Sequence, residues 1–421
     1  MVKKTFEIVN ENVYYEKLPN GIEVFLYPTN KTKNFYMSIS VKYGAKVTKY
    51  KKDNKEYSIT PGVAHFLEHK VMALSENEDF SKRINKLGSL ANAWTSYDGT
   101  NYNIFGSINI RENLKLLLDI FYNIDINEKS VEEEKGIIAE EIDMYDDQIG
   151  SLMQTKLFRN LFNNSYVINT VTGKRDDIYT ITAEELNRVY NDFYTSNNTF
   201  IIVTGNFDVD TIMNDIKEYM NNIDIKPKEL PKVIKEREKD KVFAQYEEVQ
   251  KDVSESRVRY GIKIPKKVFG IKNDTLLKSY LNIILSSNFS STSELYEKYK
   301  NENLFYSLSY GLSVIDNYVV LIINAVCKDG KLFIERIKDD IKKMSINEET
   351  FERKKKLYLK EYILGFEDIS DIEYDLCLSI LFDNKIDYKE YSLINNMNYD
   401  EAKRVLGLID TTNYSVVKTS K

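Results

Sequence analysis

What most limits how this chain can fold is that it writes one order of elements twice. In the first half a strand-like run, Phe35 to Tyr43, leads to a helix opening at Pro61. A short helix over Asp79 to Leu87 follows, then paired strands over Leu90 to Ser96 and Asn101 to Ile108 around Tyr97-Asp98-Gly99. A helix from Arg111 to Asn123 and a long helix from Ser130 through Met144 close the series. In the second half Arg257 to Ile264, Asp274 to Leu285, Ser293 to Tyr299, Phe305 to Leu312, Tyr318 to Cys327, Leu332 to Met344 and a long helix from Ser345 repeat it. Each assignment rests on apolar spacing, alternate for strands and every three to four for helices. Asn347-Glu348-Glu349-Thr350 echoes Asn127-Glu128-Lys129-Ser130 at an offset of 220 residues, about half the chain. Duplication of one α/β domain accounts for this, and 421 residues suit two domains of about 200 each. The expected boundaries are 1–224 for the first copy, 225–241 for a linker and 242–421 for the second copy. Pro227, Pro231 and the alternating charges from Lys235 to Lys241 read as a solvated connection.

The copies differ in chemistry. The chain has two histidines, both within Gly62-Val63-Ala64-His65-Phe66-Leu67-Glu68-His69-Lys70. Positions i, i+3 and i+4 share a helix face, so His65, Glu68 and His69 point one way. Two imidazoles can hold one Zn²⁺, and a neighbouring carboxylate can act on water at the metal. The order is H-x-x-E-H, the reverse of H-E-x-x-H. Thr60 is the expected N-cap and Pro61 the first helical residue, with Val63, Phe66, Leu67 and Val71 on the apolar side. In the long helix after Ser130, Ser130-Val131-Glu132-Glu133 reads as a capping box and Ile137, Ile138 and Ile142 as the apolar side. Glu134 and Glu141 lie two turns apart on one face, so this helix could supply a third ligand. Spacing alone does not choose among Glu132, Glu133, Glu134, Glu140 and Glu141. The second copy has no histidine, so any metal belongs to the first.

Composition excludes some classes. A formal charge of −6 argues against nucleic acid as the main partner, and no apolar run approaches the roughly 20 residues a membrane span needs. No apolar signal-peptide core follows Met1, and Cys327 and Cys377 read as buried free thiols in a reducing compartment, so the expected location is cytoplasmic. Pro19-Asn20-Gly21 predicts a hairpin between Tyr14 to Leu18 and Ile22 to Tyr27. Lys46 to Ser58 reads as a solvated loop. Thr182 caps a helix reaching about Phe193, Thr199 to Thr204 is an apolar strand closed by Gly205, and Asp208 to Met220 is helical.

These residues resemble the pitrilysin/insulinase family of zinc peptidases, the inverzincins, and most closely its short bacterial branch akin to the β subunit of mitochondrial processing peptidase. Gly62 to His69 is similar to the family's zinc helix, and Glu133 to Ile142 to its second metal helix. In the family the ligand Glu follows the second His by a little over 70 residues; Glu141 follows His69 by 72. The resemblance therefore implies His65, His69 and Glu141 as Zn²⁺ ligands, Glu68 as general base, and Glu134 as a carboxylate beside the metal. Asn92-Ala93-Trp94-Thr95 resembles the strand that pairs with a peptide substrate. The implied fold is α+β: two tandem homologous domains, each a mostly antiparallel sheet packed with helices, forming half of a clamshell that encloses flexible peptides. The family's other half usually carries an Arg and a Tyr seven apart that hold the substrate carbonyl. Tyr306 fits the Tyr, but Tyr299 occupies the Arg position between Lys298 and Lys300. That implies a zinc subunit whose partner is a paralogous subunit carrying the Arg/Tyr pair, or a homodimer. The alternative is a non-catalytic peptide-binding or scaffold subunit. A metal hydrolase of another class would need ligands beyond the two histidines present.

Overall fold

The alternating apolar runs become two main sheets in the computed structural model, which describes residues 1–75, 78–122, 124–223 and 225–420. The expected helix end at Asn123 and domain end at residue 224 lie outside the described residues. The first sheet runs, edge to edge, Val2–Phe6, Glu11–Lys17, Glu23–Pro28, Thr199–Gly205, Phe35–Val41, Thr100–Gly106 and Leu90–Thr95. The second runs Tyr246–Gln250, Tyr414–Ser420, Ser256–Pro265, Tyr318–Cys327 and Ser307–Ile315. Pairing is antiparallel throughout both, except Glu23–Pro28 with Thr199–Gly205 and Tyr246–Gln250 with Tyr414–Ser420. Those two parallel pairs occupy the same place in each order. A parallel neighbour needs a long crossover, and here each crossover spans nearly a whole repeat. The fold is α+β, built from two homologous domains in tandem.

The compact units are not the contiguous stretches 1–224 and 242–421. One unit comprises 1–144, 169–235 and 363–388; the other comprises 145–168, 236–362 and 389–421. Each repeat thus gives one helix to the other unit. Ile149–Leu161 packs on Ser256–Pro265 and Tyr414–Ser420, and Ile369–Asp383 packs on Phe35–Val41 and Thr199–Gly205. Gly261 marks one contact, since a Cβ there would lie 2.9 Å from a Leu161 methyl. In the other unit Ile372, Leu376, Cys377, Ile380 and Leu381 close over Phe6, Val13, Phe25, Tyr27, Phe200 and Ile202. Helical periodicity says how much of a helix is apolar, not which sheet receives it. The chain passes between the units at five places, one of them between Lys235 and Glu236.

Further corrections are local. Lys46 to Ser58 is not a loop: Lys49–Lys52 and Lys55–Ser58 form a hairpin joined by Lys232–Val233. Lys51 and Lys55 are exposed, while Tyr50 is fully buried and donates to Asp192 at 2.6 Å, with Lys52 on the other oxygen of that carboxylate. The histidine helix spans Val63–Met72, with Gly62 at the N-cap and no side-chain cap. Thr60 is engaged instead with Glu185, its N–H and hydroxyl each donating at 3.0 Å. The long helix opens at Glu128 rather than Ser130, because Asn127 Oδ1 accepts from the Ser130 N–H at 2.9 Å. Ile137 is exposed, and Val131, Ile138, Ala139 and Ile142 are buried. Cys327 and Cys377 are buried free thiols. Among the described residues no helix is long and apolar enough to cross a membrane.

Candidate functional site

Two helices build the site. Val63, Ala64, Phe66, Leu67 and Val71 seat the Val63–Met72 helix in the core. Gly62 starts it at φ +96°, and a Cβ there would lie 2.7 Å from Ile178 and from the Thr172 carbonyl oxygen. A β-carbon there would force the Thr172 backbone or the Ile178 side chain to shift. Val131, Ile138 and Ile142 seat the Glu128–Asp147 helix in the same core. Buried Lys70 reaches from the first helix to the Ser130 carbonyl at 3.3 Å, tying the two together.

On the facing sides, His65, His69 and Glu141 converge, and one donor atom from each lies within 4.8 Å of the others. His65 Nε2 is 3.6 Å from Glu141 Oε1, and His69 Nε2 is 3.2 Å from Glu141 Oε2. The imidazoles stand edge to face with centroids 4.7 Å apart. His69 Nδ1 meets Glu134 Oε1 at 2.9 Å, which fixes the ring and leaves Nε2 for the shared spot. His65 Nδ1 is buried without a partner among the described residues. Hydrogen bonds from His65 and His69 hold the Glu141 carboxyl well below the usual range. Burial opposes a charged His69 imidazole, but Glu134 and Glu141 outweigh it and push it up to about 9. A pocket that favours positive charge between two imidazoles and a carboxylate fits a divalent ion. The N, N, O set suits Zn²⁺ with an open position, and Glu134 behind His69 is the carboxylate–histidine arrangement that orients metal ligands.

Glu68 stands outside the three converging groups. Its Oε2 accepts from Thr95 Oγ1 at 2.5 Å. Sequence reading had Thr95 aligning a peptide; its hold on Glu68 was missed, since nothing local signals a contact 27 residues apart. Leu90–Thr95 is an edge strand, paired among the described residues with Thr100–Gly106 alone. Asn92 is near the exposed rim and its Oδ1 accepts from the Ala93 N–H at 2.9 Å. The Trp94 ring is already engaged, edge-on against Tyr374 with centroids 5.9 Å apart.

In the other unit Tyr306 is 65% exposed, and its N–H donates to the Val326 carbonyl. Tyr299 is fully buried and donates to Asp340 at 3.0 Å. The position where the resemblance expected a guanidinium is core.

The chain matches known proteins along most of its length. Residues 51–175 match the family model described as insulinase, peptidase family M16, and residues 180–358 match the one described as peptidase M16 inactive domain. It is 30% identical to zinc protease YmfH of Bacillus subtilis over 305 residues, 69% of this chain and 68% of that one. It is 23% identical over 215 residues to a mitochondrial-processing peptidase β subunit of Arabidopsis thaliana, 50% of this chain and 39% of that one. The fold superposes on an M16-like peptidase from Alicyclobacillus acidocaldarius with a TM-score of 0.88, at 22% identity, covering 97% of this chain and 98% of that one.

Proposed function

The chain belongs to the insulinase family of peptidases, M16, and from that premise we propose that it is a zinc metalloendopeptidase acting on flexible peptides or unfolded segments. The observation that carries this reading is the convergence of His65, His69 and Glu141 beside Glu68. His65, His69 and Glu141 would hold the ion, with Glu134 orienting His69. When bound, zinc supplies Lewis acidity, bringing the pKa of water towards about 7 and polarising a carbonyl. Glu68 is the general base: it takes the proton of the attacking water and returns it to the leaving amine. Thr95 keeps that carboxylate aimed by donating to its Oε2 at 2.5 Å. The edge strand Leu90–Thr95 aligns the substrate backbone to backbone, which gives affinity with little sequence preference. Asn92 would release the Ala93 N–H to the incoming peptide.

We further propose that the chain is the zinc subunit of a clamshell dimer. Because Tyr299 is buried where a guanidinium would be needed, that group comes from a paralogous subunit carrying the Arg/Tyr pair; a homodimer would offer only the exposed Tyr306 of its second copy and work without a guanidinium. The buried free thiols support a cytoplasmic setting. The same Tyr299 favours one second reading, a peptide-binding subunit without catalysis. Metal analysis with peptide cleavage separates the two. The purified chain, alone and with a candidate partner, should contain about one zinc and cleave an unstructured peptide in a chelator-sensitive way. Zinc retained in full by His69→Ala would remove the metal site; bound zinc with no cleavage in either setting would leave the scaffold.

A further inference from the structure

Beneath the Ile149–Leu161 helix, alternate residues of the Ser256–Pro265 strand face upward. At the helix's C-terminal end Lys263 is fully buried and satisfied. Its Nζ donates to the Leu161 carbonyl at 2.9 Å, to Glu238 at 2.7 Å and to the Lys239 carbonyl at 2.7 Å. A cation suits that end of a helix. Gly261 touches Leu157 and Leu161. Arg259 meets Gln154. Arg257 lies with Gly150 on a cavity of about 160 Å³ that Arg259, Ser307, Ser309 and Asn324 also line.

The signs at this second end do not balance. A helix N-terminus carries partial positive charge and free N–H groups, and Gln148 provides no side-chain cap. Two guanidiniums stand beside it. Among the described residues no carboxylate pairs with either guanidinium; Gln154 is the side-chain partner of Arg259, and the exposed Arg257 guanidinium has none, its N–H donating to Thr419 Oγ1 at 2.8 Å. Burial alone pulls Arg259 below its usual pKa, with no opposite charge to offset it. Opposite Arg259 in the sheet lies Asn324, and opposite that Ser309. Asn324 Nδ2 is 3.4 Å from Ser309 Oγ, and Asn324 Oδ1 has no partner among the described residues. The Ser309 hydroxyl can serve either end of that amide, so one buried amide atom is left over. Arg259, partly buried with no opposite charge, and Arg257 at the cavity's exposed mouth stand together at the positive end of a helix, which describes a place for a negative group.

We propose that this cavity is an oxyanion site: Arg257 and Arg259 clamp a carboxylate or phosphate group, and the first-turn N–H groups at Gly150 and the Ser309 hydroxyl complete its contacts. The site is independent of the zinc centre and of the peptidase reading. Calorimetric titration of the full chain with inorganic phosphate tests it, beside a short peptide with a free terminal carboxylate and the same peptide amidated. Saturable binding should weaken about tenfold or more in Arg257→Gln, an exposed position expected to fold normally, and in Arg259→Gln. Phosphate binding alone identifies a free oxyanion as the ligand. Binding by the carboxylate peptide and not its amide identifies a peptide terminus. If neither probe distinguishes wild type from Arg257→Gln, the site does not exist. Phosphate binding that persists in both arginine variants and vanishes in His69→Ala belongs to the metal centre and overturns the proposal equally.

Discussion

The two units are built on one sheet order, yet they spend their polar groups differently. In the unit with the histidines, the Val63–Met72 helix buries His65 and offers Glu68 and His69 at its open side. In the other, the Asp274–Phe289 helix buries Leu277, Tyr280, Leu281, Ile283, Ile284 and Leu285 and has no His, Cys, Asp or Glu past its first residue. The spaces under the exchanged helices differ as well. Under Ile369–Asp383 the chain supplies its own carboxylate, Glu373, which accepts from Ser38 and, at 3.2 Å, from Asn101. Under Ile149–Leu161 there are arginines and a cavity. A duplicated frame can therefore keep its strand pairing while one copy takes the chemistry and the other closes or reopens its interior. Pairing depends on backbone and apolar alternation, which both copies preserve; the site depends on a few side chains, which they do not.

The sharpest break of this comparison is Glu68→Gln. It should keep zinc and lower kcat about a thousandfold, read by cleavage of an unstructured peptide with metal content measured in parallel. Next is Glu373→Gln. Burial pushes this carboxyl up to about 7 against the hydrogen bonds from Ser38 and Asn101. A folded value above the unfolded one favours the protonated native state, so that stability is complete below about pH 4.5 and is lost as pH rises through 7. Denaturant melts should show wild type losing up to about 3 kcal/mol between pH 5 and 8, and Glu373→Gln losing much less. A flat wild-type profile would mean the carboxylate is ionised and otherwise compensated. Glu134→Gln should weaken zinc about 10- to 100-fold by freeing the His69 ring, measured by competition with a chromophoric chelator. Smallest is Gly62→Ala, expected to cost about 1–3 kcal/mol for its left-handed backbone and the contacts with Ile178 and Thr172. If it melts like wild type, the histidine helix does not depend on that turn.

Much of this was readable beforehand, for reasons that can be named. His65, Glu68 and His69 lie within one helical turn and a half, where spacing dictates direction, and the structure brings His65 and His69 to one spot. Glu141 could not be chosen from spacing; the resemblance chose it, and the geometry places it 3.2 Å from His69. Strands bounded by Asn20-Gly21 and Gly99 were read closely because their turns are local. What escaped was decided by distant partners. Lys46 to Ser58 looks solvated by composition, but Tyr50 finds Asp192, 142 residues away. Ile137 was assigned inward because isoleucine is apolar, yet that side of the helix is open. Thr60 was a sound N-cap by type, and Glu185 claimed it.

The traded helices make the repeat boundary a poor place to divide the molecule. A chain cut there would leave each sheet without its cover, exposing Phe25, Tyr27, Phe200 and Ile202 on one side and the row from Arg257 to Lys263 on the other. Each repeat therefore depends on the other for the helix that covers its sheet.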